Sequence, residues 1–150
     1  ALVDRMAKTF LATGGDIHQV MKVMLNSAAF WDPENKLYRT PYDFACASLR
    51  VLNVAQDRNK WLQAFGYSFV AGQAIQNWQT PDGYAFNANT WFTPEALTRR
   101  IDFPLTVARN APERSELYPY LSDTTIKAVI MQPPLQRMGF VLGSSELVFK

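Results

Sequence analysis

An all-α fold, an irregular bundle of about six to eight short helices with a long aromatic-rich loop, is what this sequence predicts. Apolar residues recur at three- and four-residue spacing through most of the chain, and Gly, Pro and capping residues interrupt that spacing at short intervals. No alternating stretch is long enough to demand a sheet. At 150 residues, with 48% hydrophobic and 19% charged residues, the chain can fill one sizeable core and lies far from a disordered composition. A single helical domain over 1–150 is expected. The helical pattern is already running at Ala1-Leu2-Val3 with no start signal, so the chain reads as the C-terminal fragment of a larger protein.

Leu2, Val3, Met6, Phe10 and Leu11 set the apolar face of the first helix, which Gly14-Gly15 ends. Asp16 is placed as the N-cap of a second, with Gln19 where a capping-box partner belongs. Ile17, Val20, Met21, Met24, Leu25 and Ala28 form its stripe, and the short connection folds it back on the first helix. After a polar loop over 32–39, Thr40-Pro41 supplies an N-cap and a first-turn proline. The third helix carries Phe44, Ala45, Ser48, Leu49 and Leu52, with small residues that admit a close neighbour. A shorter fourth helix runs from Arg58 to about Phe65, and Gly66 and Gly72 make the next segment irregular. Thr93-Pro94-Glu95 opens a helix with Ala96, Leu97, Ile101, Leu105 and Ala108, which Pro104 bends or breaks. Ser122 caps another, Pro133-Pro134 starts the last long helix, and the tail from Ser145 adds one more turn. The predicted core includes Met24, Leu25, Phe44, Leu49, Leu52, Leu97 and Ile101.

Between the two helical halves stands Trp78-Gln79-Thr80-Pro81-Asp82-Gly83-Tyr84. Pro81 suits the second position of a tight turn, and Asp82-Gly83 tolerates the unusual backbone angles that follow. Two large aromatics flank the turn. Trp78, the largest apolar group available, is expected to anchor its base in the core, leaving Tyr84 to be presented. Trp61, Trp78, Tyr84, Phe86, Trp91 and Phe92 can build a platform for a sugar ring or a partner side chain, although core and loop anchoring is the preferred reading of these residues.

Little else carries chemistry. The net charge of +2 arises from 15 basic and 13 acidic residues that are scattered, with Arg99-Arg100 the only basic doublet, so no nucleic-acid footprint forms. The lone Cys46 reads as a small core residue, and the lone His18 as a surface residue on the polar side of its helix. Neither supports a metal site, and the glycines fit no nucleotide fingerprint. No cofactor is predicted. Asp82, Glu95 and Asp102 lie near the aromatic loop, but Asp82 is explained by its turn and Glu95 by the favourable charge at a helix start. Only Asp102 lacks a local role. No apolar run is long enough to span a membrane, and the first residues do not form a signal peptide.

The order Gly15-Asp16, Ser27-Ala28-Ala29-Phe30-Trp31, Arg39-Thr40-Pro41-Tyr42-Asp43-Phe44 and Ser48-Leu49-Arg50 resembles the C-terminal part of the bacterial domain of unknown function 1800 family. Gly72-Gln73, the Trp78 to Tyr84 motif, Trp91 and the helix from Leu97 to Phe103 continue the likeness, which weakens after about Asn110. The resemblance implies an exported protein, periplasmic or extracellular, often encoded beside a sulfatase-like protein. The histidine-rich elements of the family lie upstream of this region. The tail Ser144-Ser145-Glu146-Leu147 departs from the family's Ser-Pro-Glu-Phe-like ending.

Two functions follow as expectations. The leading one is a non-catalytic helical scaffold or interaction module that meets the upstream region of the same protein or the sulfatase-like neighbour. The alternative is a carbohydrate- or polymer-binding or hydrolytic domain using the aromatic loop, with Trp78, Thr80, Pro81, Asp82, Gly83, Tyr84 and Trp91 as its residues.

Overall fold

A computed structural model describes every residue except 33, 35, 86 and 150. Among the described residues the chain forms eight α-helices, two short 3₁₀ helices and no strand. It divides into two compact units, Ala1–Lys36 and Leu37–Lys150.

The first unit is a helical hairpin of α1 (Leu2–Ala12) and α2 (Ile17–Leu25). Asp16 caps α2 as its sequence position predicts, with Oδ1 accepting from the backbone N–H of His18 and Gln19. The Arg5 guanidinium of α1 donates to the Ser27 hydroxyl at 3.1 Å, and the Trp31 indole closes back on the Leu25 carbonyl. Met24 is half-buried, whereas Leu25, assigned to the core from its spacing, is exposed. A two-helix hairpin buries only the faces its helices turn to each other, and Leu25 lies off that seam.

The second unit is built around α5. Its elements are α3 (Pro41–Leu52), α4 (Arg58–Val70), α5 (Pro94–Val107), α6 (Asp123–Ile130), α7 (Pro134–Leu142) and α8 (Ser145–Val148), with the 3₁₀ turns Ala88–Trp91 and Ser115–Tyr120 between them. Helix α5 packs against α3, α4 and α7. The α3 stripe is buried as its spacing predicts, and Ser48 and the matching Ser68 of α4 satisfy their hydroxyls on carbonyls one turn back. Phe44, Tyr67 and Phe103 meet at the centre, with Tyr67 and Phe103 stacked at 4.4 Å and Phe44 edge-on to both.

Two sequence expectations are corrected here. Helix α4 runs to Val70 rather than to about Phe65, because Tyr67 and Ser68 are pulled into the core while Gly66 faces open space. The interior glycine costs about 1 kcal/mol relative to alanine, which the burial of the next turn outweighs. Leu97 and Ile101 are exposed, since α5 buries the face made by Arg100, Phe103, Pro104 and Val107 instead. Pro104 does not break α5, which continues to Val107. Cys46 is half-buried, and His18 is exposed.

The buried face of α5 includes a charge that its sequence does not announce. Arg100 is only 6% exposed, and its guanidinium carbon lies 4.3 Å from the Tyr38 ring centre and 4.2 Å from that of Phe44. It donates to the Tyr38 hydroxyl at 2.8 Å and to the carbonyls of Arg39 and Val148. Among the described residues it has no carboxylate partner and its Nε has no acceptor. Burial pulls its pKa down, against the neighbouring Tyr67 and Tyr38, and burial pushes the Tyr67 phenol up to about 12. The two carbonyl contacts join the segment before α3 to the chain end, where Tyr38 and Phe149 form an isolated antiparallel bridge.

Candidate functional site

Residues 72–93 connect the end of α4 to the first turn of α5. Gln73 fixes the start of this loop: its Oε1 accepts from the Tyr42 backbone N–H at 2.8 Å, beside Thr40, whose hydroxyl accepts from Asp43. Two of the otherwise unpaired amides at the start of α3 are thereby satisfied, one from its own cap and one from a residue 31 positions away. The Thr40-Pro41 and Gly72-Gln73 elements, both among the residues that carry the family likeness, are thus physically joined.

The turn forms as predicted, with the Gly83 N–H directed at the Thr80 carbonyl, Pro81 and Asp82 between them, and Gly83 at φ +72°, a region that side-chain-bearing residues rarely adopt. Asp82 Oδ1 accepts from the Thr80 hydroxyl and, at 3.1 Å, from the Trp78 indole N–H. These two donors hold the Asp82 carboxyl below its ordinary pKa.

The division of labour between the aromatics is the reverse of the one expected. Trp78 is 46% exposed, whereas Tyr84 is half-buried with its hydroxyl donating to the Ala74 carbonyl at 2.7 Å. The anchor is Trp91, 5% exposed, its indole N–H bonded to the Ala85 carbonyl at 2.9 Å. The Trp78 N–H finds Asp82 inside its own turn, so the ring needs no interior partner, while the Tyr84 hydroxyl reaches back to Ala74 and the Trp91 ring packs beside Gly72. The three rings follow one another from solvent to core, Trp78 to Tyr84 at 4.6 Å and Tyr84 to Trp91 at 6.1 Å. Phe92 leaves this series to pack on Tyr38 at 4.9 Å, Trp61 stays on α4, and Phe86 lies outside the described residues.

A groove of about 320 Å³ opens beside the series, lined by Val70, Gly72, Trp78, Tyr84, Trp91 and Glu95 among others. Of the three carboxylates singled out from sequence, it takes in Glu95 alone; Asp82 is turned into its own loop, and Asp102 is exposed on α5 outside the lining. Among the described residues no three His, Cys, Asp or Glu side chains are grouped to hold a metal, and no helix is long and apolar enough to cross a membrane.

The profile of the family described as protein of unknown function (DUF1800) matches residues 1–143. The chain belongs to the DUF1800 family. In this DUF1800 chain the matched region takes in the whole aromatic loop and the α3 start to which it is tied. No curated protein and no solved structure matches the chain.

One polar cluster escaped the sequence reading. Glu146, in the departing tail, reaches the start of α6, accepting from the Ser122 N–H at 2.8 Å and the Thr125 hydroxyl at 3.0 Å. Burial raises its carboxyl, but the bonds from Ser122 and Ser145 outweigh that and hold it at about 2. Its contact spans 24 positions, so no local pattern could reveal it.

Proposed function

We propose that this region is a non-catalytic scaffold and binding module of a larger exported bacterial protein, and that it meets its partner through the groove at Trp78. The observation that carries this reading is the exposure of Trp78 on a turn held rigid by Pro81, Asp82 and Gly83. A large ring fixed in place yet left half in solvent is the form of side chain that dominates binding hot spots. The upstream region of the same protein is the first partner implied by the family resemblance, and a sulfatase-like neighbour the second. The same resemblance supports a place outside the cytoplasm. A hydrolytic role gains no support from the carboxylates, since Asp82 and Asp102 do not line the groove with Glu95.

The test compares two tryptophans. Trp78→Ala is expected to abolish co-purification with the upstream region while lowering stability by only about 1 kcal/mol, as befits a half-exposed ring. Trp91→Ala should lower it by about 3 to 5 kcal/mol, the usual cost of emptying a buried aromatic site. A Trp78→Ala variant that binds like the parent would overturn the reading.

A further inference from the structure

We propose that the groove beside Trp78 takes a compact organic cation of the quaternary ammonium kind, with the aromatic rings as its walls and Glu95 as its counter-charge. This inference rests on the binding-module reading and adds a small-molecule ligand at the same groove. Three features of the groove point the same way.

The first is charge. Glu95 lines the groove and, among the described residues, makes no hydrogen bond or ion pair; Arg99, one turn along α5, does not reach it. No lysine, arginine or histidine is among the described lining residues. An anionic ligand would meet the exposed Glu95 carboxylate there, and a cation would meet its complement. The second is ring geometry. Trp78 is tilted 47° to Tyr84, and Tyr84 45° to Trp91, so the rings do not make the flat platform on which a sugar lies. Trp78, the ring left in solvent, instead offers a negative face to a positive group, the contact by which aromatic side chains hold alkylated ammonium ions. The third is size: about 320 Å³ is at the small end of ligand sites, room for one compact group rather than a run of sugar rings.

The experiment titrates the intact protein with choline, with its uncharged tert-butyl isostere dimethylbutanol and with maltose, following the Trp78 indole N–H resonance. Choline should saturate with an affinity roughly tenfold or more above the isostere. Glu95→Gln should remove about tenfold of the choline affinity without changing the isostere's, and its melting temperature confirms that the fold is retained. Equal binding of choline and isostere, a Glu95→Gln variant that binds choline like the parent, or no saturable choline response would each overturn the proposal. Saturable maltose binding in place of choline would overturn the cation while leaving the binding module standing, because that reading fails only if Trp78→Ala retains its protein partner.

Discussion

At the scale of single residues, the second unit depends on side chains whose polar ends are satisfied far from their own segment. Arg100 is the extreme case, a cation stacked between two aromatic rings and donating to Tyr38 and to two carbonyls from opposite ends of the unit. A lysine at this position keeps the charge but loses the planar fork and the stacking, so the two substitutes for arginine's geometry are both missing. Arg100→Lys is expected to lower stability by about 2 to 4 kcal/mol, measured by chemical denaturation. A loss within the ordinary range of surface substitutions would show that packing, not the directed donors, holds this centre. Trp78 shows that local satisfaction of its one polar atom leaves a large ring free to stay half in solvent.

At the scale of elements, the close crossing of α5 and α7 decides how tightly the core is built. A Cβ placed on Gly139 of α7 would lie 2.8 Å from the end of the Leu105 side chain and 3.1 Å from its Cα, so the backbone of α5 must shift to admit one. Gly139→Ala therefore carries an unusual sign. In an ordinary helix interior the change stabilises by about 1 kcal/mol, but here overpacking should reverse it to a loss of about 1 to 3 kcal/mol. A thermal melt of the variant at or above the parent's would show that the crossing can relax. Lys60 adds a smaller contribution at the other end of α5, its ammonium donating to the Val107 carbonyl at 2.7 Å, where the exposed carbonyls of a helix end attract positive charge.

At the scale of the whole molecule, the shifted groups set the pH range over which the protein is stable. Glu146 has its folded pKa lowered from 4.5 to about 2, so its contribution is complete above the unfolded value and is lost as pH falls from 4.5 toward 2. Asp82, Glu113 and Glu116 are lowered as well and add to the same acid limb. Tyr67 is raised from 10.0 to about 12, so its contribution is complete below the unfolded value and is lost as pH climbs from 10.0 toward 12. Tyr38 is raised too, by burial that exceeds the opposing effect of Arg100. Stability measured by urea unfolding should hence be nearly flat between these limbs and fall on both sides. Glu146→Gln should flatten the acid limb, and an unchanged limb would remove Glu146 from the account.

The sequence by itself determined the order of the helices, the caps at Asp16, Thr40, Thr93 and Ser122, the Thr80 to Gly83 turn and membership of the family. Each of these is written in neighbouring residues, because a cap, a turn and an apolar stripe are satisfied within one or two turns of chain. What only the tertiary structure decided is which of two plausible faces is buried and which polar groups find distant partners. Leu97 and Ile101 lost the interior to Arg100 and Phe103, Trp91 took the place expected for Trp78, and Gln73 and Glu146 capped helices remote from them in sequence. Burial is a property of what comes to lie opposite a residue, and spacing along one helix constrains only its own half of that contact.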